Sequence, residues 1–375
     1  MKIGLLLHNP YLIDSGNAKN ILTSLSKIGT IDAKIAGTMG KTAVFDEHLE
    51  NKIDTCCNKK PSEIVTNLLK KNDIAILLNH GKSLYSGVRF ASIVASKISN
   101  LQDKPVIHIE RPGCFDETIF PMNDNALEYI TTISSLLNIK HSTNIIKPYK
   151  IKVHKKNNVQ IRRIEGTYPG ENIFINGLIV GKAQNNFVDI IVENGILTKL
   201  EGGILKEHGI EKLHKYNKKC PIDLENVWIK TGKLRNFNKP TKLNNRFKSF
   251  NDNKLIIIDH DAENIYKYIS GTTAAISIGD DTTSIASEIL FRFSIPVLGI
   301  VDGDLDCKDH NTRYFTDSTI YVLKKGHDDI LGEKIKQNIF NNNKYVNYSD
   351  FESIKSKIKK LGSNIIETTI DMQFR

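Results

Sequence analysis

The chain is predicted to be an α/β protein with a parallel sheet near each end and a small β-rich unit between them. Two observations carry this prediction. Short apolar runs that end in a small or polar residue and lead into amphipathic stretches recur over residues 1–145 and again from residue 254, which is the pattern of βα units on parallel sheets. Between them the pattern changes to short alternating strands with glycine turns. The size agrees, because 375 residues at roughly 150 per domain make two to three domains. A chain with 40% hydrophobic and 25% charged residues buries a core, which excludes disorder as its main state.

In the first region, residues 1–145, the strands are Ile3–Leu7, Ala33–Ala36, Ile74–Leu78 and Val106–Ile109. Helical spacing marks Ala18–Ile28, Ser62–Lys70 and Val88–Ile98, with Pro61-Ser62-Glu63 as a helix start. This is a Rossmann-like arrangement, in which ligands bind beyond the carboxyl ends of the strands. The residues there name a candidate ligand site: His8, Lys41, Thr42, His80, Lys82 and Arg111. Gly40-Lys41-Thr42 and Gly81-Lys82-Ser83 each end like a phosphate loop. The required leading glycine is replaced by Ile35 and Ile76, which excludes a Walker-type nucleotide hydrolase and leaves generic anion binding.

Residues 146–235 form the small β-rich unit, where Asn176-Gly177 and Asn194-Gly195 each separate alternating runs. Asn-Gly at such a place predicts a tight hairpin. Residues 236–253 are polar and basic and read as a linker or loop, with a nucleic-acid-binding arm as the sharper reading. The net charge of +10 and a pI near 9.1 permit such a partner.

The last region, 254–375, places strands at Lys254–Ile258, Ala274–Ile278 and Val297–Val301 and a helix at Thr283–Phe293, with Asp281 or Thr282 as its cap. One further helix is expected at Asp350–Leu361. Three successive strands deliver carboxylates to one edge, giving Asp259, Asp280, Asp302 and Asp304 as candidate ligands of Mg²⁺ or Mn²⁺, both of which prefer oxygen. The same residues also suit solvated turns and caps.

Five cysteines without a CxxC pair read as reduced thiols without a metal role. No apolar run approaches the roughly 18 residues of a membrane helix, and Asn9-Pro10 come too soon after the start for a signal peptide. A cytoplasmic protein without membrane partners is expected.

Two resemblances follow from these motifs. The stretch Lys254 to Asp306, with acidic Asp259, Ile278-Gly279, Thr282-Thr283 and Asp302-Gly303-Asp304 in that order, resembles a Toprim domain, the Mg²⁺-binding module of bacterial primases, topoisomerases and some nucleases. The resemblance implies Asp259 as the first carboxylate and Asp302 with Asp304 as the metal-binding pair. The family carries Glu at the first position, where this chain has Asp259. The whole chain also resembles a family of uncharacterised proteins from methanogenic archaea, through Asp14-Ser15-Gly16, Gly37–Val44, Asn79–Lys82, Ile109–Gly113, Pro169-Gly170-Glu171, Asn176-Gly177, Gly279–Thr283 and Asp302-Gly303-Asp304. That resemblance implies an archaeal origin and no particular activity.

Two functions are consistent with these residues. One is Mg²⁺-dependent phosphoryl transfer or phosphodiester cleavage. The other is a non-catalytic regulator that binds a nucleotide or phosphorylated coenzyme. Enzyme and binding protein, and the oligomeric state, stay open at this point.

Overall fold

The computed structural model describes residues 1–216, 221–232, 235, 243, 253–303 and 312–372. The chain divides into two compact units, Met1–Asn236 and Phe237–Arg375.

Unit 1 begins with β1 (Lys2–His8), α1 (Tyr11–Asp14), α2 (Asn17–Leu25), β2 (Thr30–Ala36), α3 (Thr38–Asp46), α4 (Pro61–Lys71), β3 (Ile74–Asn79), α5 (Leu84–Ala95), β4 (Val106–Glu110), β5 (Thr118–Pro121) and α6 (Leu127–Leu137). The sheet order is β2-β1-β3-β4-β5, with β1 to β4 parallel and β5 antiparallel. Strand β3 is buried at all six positions, as expected for a strand covered on both faces. One core joins the Leu5, Leu7 and Ile76 face to α2 and α6, and a second joins the Leu6, Ala75 and Leu77 face to α4 and α5. The chain leaves β1 toward β2 on one side and returns past it to β3 on the other, so the β1/β3 boundary is the point where ligand crevices open in such sheets.

The rest of unit 1 holds β6 (His154–Lys156), β7 (Val159–Glu165), β8 (Asn172–Ile175), β9 (Leu178–Ala183), β10 (Phe187–Glu193), β11 (Ile196–Glu201), β12 (Gly203–Leu205), α7 (Glu207–Tyr216) and β13 (Ile229–Gly232). They make two four-stranded antiparallel sheets, β11-β10-β7-β6 and β12-β9-β8-β13, which share one core through Ile173, Val180, Val188 and Ile190. Both Asn-Gly hairpins form, β8 with β9 and β10 with β11. Asn176 and Gly177 have φ of 50° and 88°, and Asn194 and Gly195 have 51° and 81°, the left-handed pair that a two-residue turn requires.

Unit 2 contains β14 (Lys254–Asp259), β15 (Thr272–Ile278), α8 (Asp280–Phe291), β16 (Val297–Val301), β17 (Ser318–Leu323), α9 (Asp328–Asn338), β18 (Tyr345–Asn347), α10 (Phe351–Leu361) and β19 (Ile366–Met372). The order is β18-β14-β15-β16-β17-β19. The four middle strands are parallel and both edges antiparallel.

Several local expectations need correction. Helix α3 starts directly after Gly37 and swallows Gly40-Lys41-Thr42, so this is helix interior and no phosphate loop. Helix α8 starts after Gly279, whose φ of 93° only glycine takes easily, in place of a cap at Asp281 or Thr282. The terminal region adds the edge strands β18 and β19 to helix α10; three and seven residues with mostly exposed positions leave little apolar alternation to read. The expected basic arm 236–253 lies outside the described residues apart from Leu243 and Asn253.

Candidate functional site

In unit 1 the parallel register aligns His8 with Asn79 and Asn79 with Glu110. Three polar side chains therefore stand side by side across β1, β3 and β4. His8 Nδ1 lies 2.8 Å from Asn79 Oδ1, and Asn79 Nδ2 donates to Glu110 Oε2 at 2.7 Å. His108, two residues before Glu110 and so on the same face, meets that oxygen through Nε2 at 2.9 Å. Gly81 N–H donates to Glu110 Oε1 at 2.5 Å. Glu110 and His108 are fully buried. Burial pushes the Glu110 carboxyl up, but hydrogen bonding and charge from His108, the Gly81 amide and Asn79 outweigh it and hold the group below the ordinary carboxylate range.

Around this row stand the sequence-predicted residues. His8 is half-buried and stacks on Phe90 with ring centroids 4.2 Å apart; burial lowers its pKa against the opposing Asn79 hydrogen bond. His80 packs against Tyr11 at 4.2 Å and is lowered by burial and then by Arg111. Arg111 binds Asp116 through Nε at 2.9 Å and the Gly81 and Lys82 carbonyls through Nη1 at 2.7 and 2.9 Å. Lys82 reaches Glu171 at 2.5 Å, Thr231 Oγ1 at 3.0 Å and the Gly166 carbonyl at 3.2 Å. His80, Lys82 and Arg111 are thus brought together, with both cations, Lys82 and Arg111, matched to carboxylates. Lys41 is buried and donates to Asn58 Oδ1, and Thr42 donates to the Thr38 carbonyl at 2.9 Å; neither contact belongs to the Glu110 row. Arg235, adjoining the expected basic arm, is held by Asp14 and Asp46.

Sequence reasoning missed Asn79, His108 and Glu110 as a connected row. The available signal was a polar residue at the end of each of three apolar runs, and a second polar residue two positions before the last.

In unit 2 the acidic edge separates into two sets. Asp259 ends β14 and is bound by Lys336 from α9 and by His260 Nδ1 at 2.5 Å. Asp329 approaches His260 Nε2 at 3.9 Å. Burial pushes the Asp259 carboxyl up, yet its hydrogen bond with His260 and the charges of His260 and Lys336 bring it down to about 2. The ring also explains Gly279, where a β-carbon would lie 2.8 Å from His260 Nε2.

The second set is Asp280 at the start of α8, Asp302 after β16 and Asp328 at the start of α9. Asp302 N–H faces Asp280 Oδ2 at 3.4 Å, and Asp302 Oδ2 accepts from Gly326 N–H at 2.7 Å. Carboxylate oxygens of Asp302 and Asp328 lie within 4.8 Å. Asp302 is 5% exposed and Asp328 fully buried. Burial and then the neighbouring Asp302, with Asp328 behind it, push Asp280 up to about 7, which is the response of carboxylates crowded in low dielectric. Of the sequence-predicted metal residues, Asp280 and Asp302 are brought together, Asp259 belongs to the other set, and Asp304 lies outside the described residues. Asp328 was missed because it opens a helix after a strand whose end carries no acid.

The two units together define a mixed α/β protein with polar groups gathered at the carboxyl edges of its sheets. A family model for an uncharacterised protein conserved in archaea (DUF2117) matches residues 5–343, and the chain belongs to that family. An uncharacterised protein of Methanocaldococcus jannaschii is 39% identical over 365 residues, covering 96% of each chain. No solved structure matches the chain. No helix among the described residues is long and apolar enough to cross a membrane.

Proposed function

We propose that unit 2 holds a divalent cation, Mg²⁺ or Mn²⁺, at Asp280, Asp302 and Asp328, and that the protein carries out phosphoryl transfer or phosphodiester cleavage there. The observation that supports this is the gathering of three carboxylates, at the start of α8, after β16 and at the start of α9, on one edge, with Asp280 driven up to about 7. Carboxylate oxygens suit a hard cation, and neutralising their mutual repulsion favours its binding. Asp259, with Lys336 and His260 against it, serves as a structural ion-pair centre beside the site. The cation, when bound, supplies charge neutralisation to a phosphate group. The resemblance of residues 254–306 to a Toprim domain points the same way.

Calorimetric titration with Mg²⁺ and Mn²⁺ tests the cation, and hydrolysis of bis-p-nitrophenyl phosphate tests the chemistry. Asp302→Asn with Asp328→Asn should remove binding and turnover while the far-ultraviolet spectrum stays unchanged. Equal cation affinity in the double variant rejects the site; affinity without metal-dependent turnover on any phosphate ester rejects the reaction.

A further inference from the structure

We propose that the β1/β3 crevice of unit 1 is a separate binding site for a small hydroxyl-bearing anion, in which His8 Nε2 accepts the hydrogen bond of the ligand hydroxyl.

The direction of the row determines which His8 nitrogen is basic. An ionised Glu110 only accepts hydrogen bonds, so the Asn79 amide turns its NH₂ to Glu110 and its carbonyl to His8. His8 Nδ1 therefore carries the ring proton, and Nε2 keeps its lone pair. Nε2 has no hydrogen-bond partner among the described residues, while the ring is clamped by Phe90 on one face. An oriented, neutral acceptor at a sheet switch point is what a ligand hydroxyl needs.

A second, independent observation marks the neighbouring loop. His80 Nδ1 is buried without a hydrogen-bond partner, an uncommon and costly condition for a native polar group. The loop is held rigidly: Asn9, in the unusual backbone conformation φ 98°, donates to the His80 carbonyl at 2.8 Å and accepts from Tyr11 N–H at 2.9 Å. Strain of this kind concentrates at binding sites.

Charge identifies the rest of the ligand. The groups acting on His8 are Lys230 from β13 and Glu110 and His108 from β4, and Glu110 is matched by His108. Those acting on His80 are Arg111, Glu110 and Asp116. Arg111 spends Nε and Nη1 on the protein, and its Nη2 has no partner among the described residues. With the Arg111 guanidinium on its border and Nη2 still open, the crevice favours an acid group beside the hydroxyl, either phosphate or carboxylate.

The test is acylation of the full chain by diethyl pyrocarbonate, mapped by mass spectrometry, because the reagent attacks accessible unprotonated imidazole nitrogen. His8 should react and the buried His108 should not. Glycerol 3-phosphate or glycerate should slow the reaction at His8 at least fivefold, while glycerol and inorganic phosphate alone should not. Shielding by the first assigns the acid group as phosphate, and by the second as carboxylate. An unreactive His8, or shielding by neither compound, overturns the proposal. Asn79 is a positioning residue: since its carbonyl supports the protonated ring, Asn79→Ala, with Asn79→Ser as the milder variant, should lower the pH midpoint of the His8 reaction. An unchanged midpoint in a folded variant overturns that role.

Discussion

A β-carbon added to Gly87 would fall on the carboxylate of Glu110. Gly87 lies inside helix α5, where glycine costs about 1 kcal/mol relative to alanine, so this helix accepts a poor helix former to let a buried carboxylate approach its backbone. The first prediction follows. Gly87→Ala should destabilise the protein by about 1–3 kcal/mol as overpacking does, in spite of the propensity gain. Denaturant unfolding of Gly87→Ala, Glu110→Ala and the double variant should show strong coupling, the second substitution costing far less once the first is present. Additive losses would mean that the two residues do not compete for one space.

Asp280 and Asp259 should give unit 2 opposite responses to pH. Asp280 ionises at about 7 in the folded protein against an ordinary 3.8. Between these values the folded state retains a proton that the unfolded chain has released, so stability falls as pH rises across the window and levels off above it. Asp259, at about 2 against 3.8, contributes stability that is present above the ordinary value and lost as pH falls through the folded one. Stability measured by urea unfolding from pH 3 to 8 should therefore lose its descending limb in Asp280→Asn. Saturating Mg²⁺ should also flatten that limb if the proposed cation site is correct.

Together with His260, Lys336 allows Asp259 to remain ionised while buried. Lys336→Met keeps most of the aliphatic stem and removes the ammonium, and should cost about 3 kcal/mol at neutral pH, as breaking a buried pair does. The loss should shrink on acidification, because a protonated Asp259 no longer needs the partner. A loss that does not vary with pH would point to packing alone.

Nucleic-acid binding by the basic stretch is tested through salt dependence. If residues 233–254 contact phosphates, the affinity for single-stranded DNA should fall steeply with salt, and neutralising Lys239, Lys242, Arg246 and Lys248 should reduce the logarithmic slope by about 1 per lost contact. Arg235 should behave differently. It is engaged by Asp14 and Asp46, so Arg235→Ala should lower thermal stability and leave the salt slope in place. Absence of DNA binding at low ionic strength would reject this partner.

Local chemistry was legible in the sequence wherever a short-range rule governs the chain. The strands at Ile3–Leu7 and Ile74–Leu78 were readable as continuous apolar runs because they are covered on both faces, and the two Asn-Gly hairpins because only a few residue types accept a left-handed backbone cheaply. The acidic edge of unit 2 was readable for the same kind of reason, since a βα unit places the residue after each strand at one known end of the sheet. Tertiary structure decided which of these groups meet. His8 and Asn79 are 71 positions apart and Asn79 and Glu110 are 31 apart, and they form one row only because parallel pairing aligns the strand ends. Asp259 was separated from Asp280 and Asp302 by Lys336, a residue of a later helix that no local pattern ties to β14. Strand ends can be located from the order of residue types, because backbone sterics and burial act over a few residues; the partner of a buried charge depends on strand register and helix placement, which the packing of the whole core sets.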